Sequence, residues 1–101
     1  MEPPRLFQRE GVVDVLQSGG FRRAYKRLQA NQRADVDDAV TDIVKNPDLG
    51  ETKKGDLAGV YVYKFPCAGK QYLLAYEYDC ATRFLLLVGS HENFYRKLKK
   101  G

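Results

Sequence analysis

The stretch Val60–Val88, VYVYKFPCAGKQYLLAYEYDCATRFLLLV, decides the fold. Runs rich in aromatic and branched residues alternate in it with short polar connections, which is typical of β-strands. The runs are Val60–Phe65, Gln71–Tyr78 and Phe84–Val88. Each connection has five residues, a length that suits a hairpin and is too short for a helical crossover. The sequence therefore predicts an antiparallel β-meander.

Two helices are predicted before these strands. Apolar residues recur at i, i+4 and i+7 through Phe21, Tyr25 and Leu28, which places them on one helical face. A second helix is expected to begin near Asp35, in an aspartate-rich turn that suits the positive end of a helix dipole, and to stop at Asn46–Pro47. Because few residues separate the two helices, they should form an antiparallel hairpin that packs on the sheet.

Short segments flank this arrangement. Residues 1–10 contain two prolines and predict a loose start. Gly11–Leu16 predicts a short strand, with a helical turn as the alternative, before a break at Gly19–Gly20. After the last strand, Ser90 is expected to cap a short helix that has Glu92 in its first turn. The predicted fold class is α+β, with an N-terminal helical hairpin packed on an antiparallel β-meander and a short C-terminal helix.

The composition limits the classes of protein. With 44% hydrophobic and 30% charged residues, the 101-residue chain is expected to form a single domain over residues 1–101. No apolar run approaches the roughly 20 residues that span a bilayer, and no secretory signal is apparent. Two cysteines, Cys67 and Cys80, and one histidine predict neither a disulfide framework nor a metal site. We expect a cytoplasmic protein that needs no membrane, metal or cofactor.

Basic residues concentrate in two zones. Phe21–Arg33 holds five basic residues and no acidic one, and the segment after Ser90 adds Arg96, Lys97, Lys99 and Lys100. Such zones attract a polyanion such as RNA. They are equally typical of solvated helix faces, so both interpretations stay open.

The tail Gly89–Lys100, GSHENFYRKLKK, holds the residues best suited to chemistry. The single histidine is His91, and imidazole, with an ordinary pKa of about 6.5, donates or accepts a proton at neutral pH. Helical spacing puts it beside Tyr95, whose ring can stack on a base. Phe94 and Leu98 are expected to anchor the helix to the core. A purely packing or capping role for the histidine and the tyrosine is the alternative.

Lysines and a carboxylate outside the tail add further candidates. Lys64 lies near the end of its strand on the face opposite the strand's tyrosines, where it either escapes to solvent or reaches a phosphate. The polar segment Asp48–Gly59 predicts a surface loop that presents Glu51, Lys53 and Lys54. These residue types serve RNA binding and are also routine in loops.

Two segments, in this order and spacing, resemble the RelE/ParE superfamily of bacterial type II toxins. Lys54–Gly59, KGDLAG, is similar to the family's loop entering the second strand, and Gly89–Leu98, GSHENFYRKL, is similar to the tail of RelE-type and YafQ-like toxins. The resemblance covers residues 21–98. It implies a RelE/ParE-like fold and a cognate antitoxin protein that covers the working surface.

The resemblance also implies an activity. Toxins similar to RelE and YafQ cleave mRNA on the ribosome by metal-free attack of a ribose 2′-hydroxyl on its neighbouring phosphate. By position, His91 matches the general acid for the 5′-oxygen, and Tyr95 matches the aromatic residue that orients or stacks the substrate. Lys64 matches the group that stabilises the charged phosphate, and Glu51 a base. The residues expected to hold RNA are Lys53, Lys54, Arg83, Arg96, Lys97, Lys99 and Lys100.

One departure from the family pattern matters for catalysis. Many members carry an Arg in the strand that reads YLLAY at Tyr72–Tyr76 here. Arg83, Lys53 and Lys54 are the candidates to replace it. The missing Arg keeps two other interpretations open: a ParE-like inhibitor of DNA gyrase without nuclease activity, and a non-catalytic module that binds RNA or a protein partner.

Overall fold

The chain folds into one sheet with helices on both faces. A computed structural model describes residues 5–92 and 94–100. Its strands and helices are β1 (Arg5–Glu10), β2 (Val13–Gln17), α1 (Gly19–Lys26), α2 (Ala30–Lys45), β3 (Glu51–Thr52), β4 (Tyr61–Cys67), β5 (Lys70–Tyr78), β6 (Thr82–Ser90) and α3 (Phe94–Lys100). In the described part of the chain, the strand order is β1-β2-β6-β5-β4-β3. Neighbouring strands are antiparallel except β2 and β6, which are parallel.

The predicted meander is confirmed as β4-β5-β6, and its strands are longer than the sequence indicated. The two-residue turn Ala68–Gly69 joins β4 to β5, and both residues have positive φ, 50° and 82°. Such a turn matches the twist of a hairpin, although it is unusual for an alanine. The carboxylate of Asp35 accepts a hydrogen bond from the Ala68 N–H at 2.9 Å. The start of α2 is thereby tied to the hairpin.

The sheet separates two apolar clusters. On one face, α1 and α2 bury Phe21, Val36, Val40 and Ile43 against alternate residues of the strands, including Leu74 and Tyr76 of β5. On the other face, α3 packs on Val60, Val62, Leu73 and Ala75. Adjacent residues of β5 point to opposite faces, so this central strand is buried on both sides.

The start of the chain differs from the prediction. The described residues begin with two strands rather than with a helical hairpin, and residues 5–10, expected to be loose, form β1. Residues 1–4 lie outside the described part. The aromatic ring of Phe7 contacts the edges of Phe21 and Tyr25 at centroid distances of 5.5 and 5.3 Å. The Phe7 contacts hold β1, whose sequence is otherwise mostly polar, against α1.

Helix α1 begins at the glycine pair that the sequence suggested was a break. Ser18 caps the helix, because its hydroxyl accepts the Phe21 N–H at 3.0 Å. The same hydroxyl donates to the Leu86 carbonyl at 2.8 Å. Leu28, expected on the first helix, lies beyond its end. The cap therefore attaches α1 directly to β6.

Helix α2 begins at Ala30, five residues before Asp35. A capping box starts it, in which the Gln32 side chain accepts the Gln29 N–H at 2.8 Å. The aspartates expected in the first turn make tertiary contacts instead, since Asp37 accepts a hydrogen bond from the Tyr25 hydroxyl at 2.8 Å. The predicted end at Asn46 is confirmed.

Helix α3 begins at Phe94, so Ser90 does not cap it as expected. Ser90 is the last residue of β6 and pairs with Tyr72 of β5. The strand runs two residues beyond the predicted end at Val88 because β5 continues alongside it. Among residues 5–92 and 94–100, no helix combines the length and apolarity required to cross a membrane.

The contact between Tyr25 and Asp37 links stability to pH. Burial, and next the hydrogen bond to the Asp37 carboxylate, raise the pKa of Tyr25 from 10.0 to about 12. An unfolded chain loses the tyrosine proton near pH 10. Between about pH 10 and 12 the folded protein thus keeps a proton that the unfolded protein releases, so the free energy of unfolding falls as pH rises.

The variant Tyr25→Phe should lose this part of the alkaline sensitivity. We expect its free energy of unfolding to fall less than that of the wild type between about pH 9 and about pH 11. Urea unfolding followed by circular dichroism at both values measures the difference. An equal fall in the two proteins would show that Tyr25 contributes nothing to the pH dependence.

Candidate functional site

The C-terminal helix is fixed to the sheet by Phe94, which is 2% exposed. Leu98 is half-buried in the same apolar cluster, so both predicted anchors are confirmed. Anchoring on these residues leaves Tyr95 half-buried and His91 exposed just before the helix. Their ring centroids lie 6.5 Å apart with an interplanar angle of 82°. The two tail candidates are therefore neighbours, although His91 precedes the helix.

A lysine from the loop meets this pair. The Lys53 Nζ lies over the Tyr95 ring, 5.2 Å from its centroid, which is cation–π geometry. The same ammonium is 3.8 Å from the Glu51 Oε1. The side chain of Lys53 is 22% exposed and that of Glu51 is 65% exposed. Glu51, Lys53, His91 and Tyr95 form a continuous group, called the Tyr95 cluster below.

Strand register places Lys64 on the same face. Lys64 pairs with Leu73, which pairs with Gly89, and cross-strand partners share a face. Glu51 pairs with Val62, two residues before Lys64 on β4. His91 follows Gly89, the residue in register with Lys64, by two residues. Along the strand direction, Lys64 is therefore nearer to His91 than Glu51 is. The four residues expected to act on the substrate thus occupy one side of the sheet.

Other basic residues surround this face. Lys54 is exposed beside Lys53, and the exposed basic residues of α3 with described side chains are Arg96, Lys97 and Lys99. The side chain of Lys100 lies outside the described part. Within residues 5–92 and 94–100, no three His, Cys, Asp or Glu side chains form a group that could hold a metal ion. The arrangement offers ammonium groups for a phosphate and an imidazole and a carboxylate for proton transfer.

Arg83 does not join the site. It is 5% exposed and lies on the opposite side of the sheet, at the end of α2. Its guanidinium donates to the carbonyls of Ile43 at 3.3 Å and Val44 at 3.0 Å, and to those of Asp79 and Thr82 at 2.7 and 3.2 Å. The bonds to Ile43 and Val44 satisfy carbonyls that the end of α2 leaves free, and those to Asp79 and Thr82 hold the connection between β5 and β6. The expectation that Arg83 contacts RNA or replaces the missing Arg is therefore corrected.

The missing strand Arg has a structural explanation. Leu73 and Ala75, the residues of the YLLAY stretch on the site face, are fully buried beneath Phe94. An unpaired charge among these apolar residues would cost much free energy to bury. Lys53 reaches the Tyr95 ring from the sheet edge instead. The sequence signal for this contact was the spacing of two residues between Glu51 and Lys53, which directs both side chains to one face of a strand.

A groove of about 1090 Å³ adjoins the site. Its apolar floor includes Leu86 and Leu87 of β6 and Val60, which precedes β4. Charged residues at its rim are Arg23 of α1, Arg27 just after α1, Asp56 of the loop, Glu92 before α3 and Lys97 of α3. The groove is thus apolar inside, with basic residues on both helices that border it.

Solved structures with a similar fold come from a toxin and from toxin–antitoxin complexes. A chain of the toxin–antitoxin complex RelBE2 from Mycobacterium tuberculosis has a TM-score of 0.65 and 26% identity, over 76% of this chain and 95% of that chain. A variant of the E. coli toxin RelE in the free state has a TM-score of 0.65 and 17% identity, over 85% and 93%. The intact E. coli RelBE complex gives 0.62 and 15%, over 77% and 95%. The chain has the fold of RelE-type toxins.

The sequence match identifies the family of the chain. Residues 15–99 match the family model of the ParE-like toxin of type II bacterial toxin-antitoxin systems. Because this match covers most of the chain, the protein belongs to that family. No curated protein matches the sequence. The resemblance inferred from the loop and the tail is confirmed, and β1 lies outside the matched residues.

The buried position of Arg83 predicts a structural effect. Arg83→Met should lower the free energy of unfolding by roughly 2–4 kcal/mol, because several buried carbonyls lose a charged donor. Urea unfolding measures the change. The control Arg96→Met removes an exposed arginine and should stay within about 0.5 kcal/mol of the wild type. Equal stability of the two variants would contradict the role assigned to Arg83.

Proposed function

We propose that this toxin is a ribosome-dependent mRNA endoribonuclease. The observation that supports the proposal is the Tyr95 cluster, in which Lys53 joins Glu51 to Tyr95 and His91 adjoins the same ring. Lys64 shares this face by register. The group combines an acid–base residue, a carboxylate, cations and an aromatic ring, which are the parts that cleavage of a ribose phosphate requires. Such an activity belongs in the cytoplasm.

The proposed reaction is a transfer within the RNA, assisted by these side chains. A ribose 2′-oxygen attacks the neighbouring phosphorus, and the bond from phosphorus to the 5′-oxygen breaks. Glu51 accepts the proton of the 2′-hydroxyl, and protonated His91 donates a proton to the leaving 5′-oxygen. The products are a 2′,3′-cyclic phosphate and a 5′-hydroxyl, and the two side chains regain their starting states by exchange with water.

The cations and the ring would hold the reacting groups. Lys53 and Lys64 stabilise the charge that develops on the phosphate oxygens. Removal of one such donor typically lowers the reaction rate by a large factor. Tyr95 orients the substrate by stacking on a base. The basic residues that bind the rest of the RNA are Lys54, Arg96, Lys97, Lys99 and Lys100.

Cleavage in a translating extract tests the proposal. The wild type should create new mRNA 5′ ends at in-frame positions, mapped by primer extension, and His91→Ala should reduce them by about 100-fold or more because the leaving oxygen loses its acid. The two proteins should unfold at similar urea concentrations, since His91 is exposed. If His91→Ala cuts as well as the wild type, the histidine has no part in the reaction.

Two lysines provide a matched comparison in the same assay. Lys64→Ala should reduce cleavage by roughly 100-fold, the usual effect of removing a charge-stabilising group. Lys70→Ala removes an equally exposed lysine on the opposite face, since Lys70 pairs with the buried Cys67. Its cleavage should match that of the wild type. A similar loss in both variants would indicate nonspecific electrostatic attraction only.

A second candidate function is inhibition of DNA gyrase. The ParE-like family description and the apolar character of Leu73 and Ala75 at the usual Arg position favour it. A gyrase supercoiling assay distinguishes the candidates. Inhibition of supercoiling by both the wild type and His91→Ala, with no cleavage of mRNA, would replace the nuclease proposal. Toxicity that survives His91→Ala without either activity would point to a binding module.

We also propose that a cognate antitoxin covers the working face. The similar chains from M. tuberculosis and E. coli were solved in toxin–antitoxin complexes. In this chain, the groove beside the Tyr95 cluster has an apolar floor and basic residues on both bordering helices. These properties favour an amphipathic segment of the antitoxin that places apolar side chains on the floor of the groove and acidic side chains against its basic rim.

Charge reversal at the rim should weaken this partner. Arg27→Glu places an acid on the groove, and we expect the affinity for the antitoxin, taken from the short reading frame next to the toxin gene, to fall at least about tenfold. Isothermal titration calorimetry measures it. Lys45→Glu, an exposed change at the far end of α2, is the matched control and should leave the affinity unchanged. Equal losses in both variants would exclude the groove as the specific contact.

A further inference from the structure

The two loop residues of the Tyr95 cluster are carried by a very short edge strand. Strand β3 has two residues, and Glu51 and Thr52 pair with Val62 and Tyr61. The Lys53 N–H adds one bond to the Val60 carbonyl at 3.3 Å. A ladder of this length is weak by itself. The positions of Glu51 and Lys53 therefore need support from the residues that precede them.

That support comes from Tyr76 on the opposite side of the sheet. Its side chain is fully buried, and its hydroxyl donates to the Pro47 carbonyl at 2.6 Å. The same oxygen accepts the Gly50 N–H at 2.9 Å. One hydroxyl thus holds both ends of the turn that leads into Glu51. Burial raises the pKa of Tyr76 from 10.0 to about 12, so the hydroxyl keeps its proton, and with it the bond to Pro47, into the alkaline range.

Gly50 is fitted closely to this hydroxyl. A Cβ at position 50 would lie 2.6 Å from the Tyr76 Oη and 3.0 Å from the Cβ of Tyr61. The Tyr61 ring also stacks on Tyr76, with centroids 5.7 Å apart. The contact between Gly50 and Tyr76 therefore depends on close packing as well as on the hydrogen bond. Glu51 follows Gly50 directly in the sequence.

We propose that Tyr76 is a positioning residue, whose hydroxyl fixes Pro47–Gly50 and thereby sets Glu51 and Lys53 against Tyr95. The residue acts through the backbone, because its side chain faces α2 whereas the Tyr95 cluster lies on the face of α3. The consequence for catalysis rests on the proposed nuclease function. The geometric consequence, the contact between Lys53 and Tyr95, does not.

Tyr76→Phe tests the hydroxyl while it keeps the ring. The first measurement is the NMR chemical shift of the Lys53 side-chain methylenes, which the Tyr95 ring moves upfield in the wild type. We expect this upfield shift to be lost in Tyr76→Phe and hydrogen exchange at the Gly50 amide to become faster. The matched control is Tyr72→Phe, which removes another hydroxyl of β5, bonded to Gln32 at 3.1 Å. It should change neither signal.

Single-turnover cleavage provides the second measurement. Tyr76→Phe should reduce the rate at saturating protein by at least about tenfold, as misplacement of reacting groups does, and should change the half-saturating concentration less than about twofold. In a Lys53→Ala background, Tyr76→Phe should cause a smaller further loss than in the wild type, because only the displacement of Glu51 remains. Full additivity would show that Tyr76 acts by another route.

A second variant keeps the inference testable if Tyr76→Phe unfolds. Gly50→Ala displaces the hydroxyl without altering Tyr76 and should produce the same loss of the Lys53 shift. An unchanged shift in a folded Tyr76→Phe or Gly50→Ala protein overturns the inference. If the wild type cuts no mRNA but the shift is lost in both variants, the positioning role stands and the nuclease proposal fails.

Discussion

Burial of β5 on both faces is the constraint on which the rest of the structure depends. Its residues from Tyr72 to Tyr76 are all buried, with Leu74 and Tyr76 under α2 and Leu73 and Ala75 under α3. One strand therefore supplies the floor of both apolar clusters. Each helix gains its tertiary stabilisation by covering one of these faces, since short helices are marginal by themselves. The site exists because α3 is held in this way.

Much of this architecture was predictable from the sequence. The three meander strands, the second helix and the anchors Phe94 and Leu98 follow from periodicity, because apolar burial imposes it on both strands and helices. The predictions that failed concern features set by single side chains. Strand β1 depends on the ring of Phe7, which contacts Phe21 and Tyr25, distant in sequence. The start of α2 depends on a local capping box between Gln29 and Gln32. Neither feature is periodic, so a search for apolar repeats does not find it.

The sequence suggested the residues of a candidate site but not how they contact one another. Glu51, Lys64, His91 and Tyr95 lie on one face of the sheet. Lys53 contacts Tyr95, which is 42 positions away in the sequence. Arg83 shows the opposite error, because its charge suggested solvent or RNA while its place at the end of α2 makes it a buried donor. A charged side chain requires hydrogen-bond or ionic partners. Only the fold determines whether those partners lie inside the protein, as for Arg83, or on a ligand.

Helix α2 is fastened to the sheet at both ends, by Asp35 to the β4–β5 turn and through the carbonyls of Ile43 and Val44 to Arg83. These bonds oppose both sliding of the helix along the sheet and tilting away from it. The helix and the exposed residues of the Tyr95 cluster lie on opposite faces of the sheet. Substitutions of the exposed charges on the second face therefore leave the bonds that hold this framework unchanged.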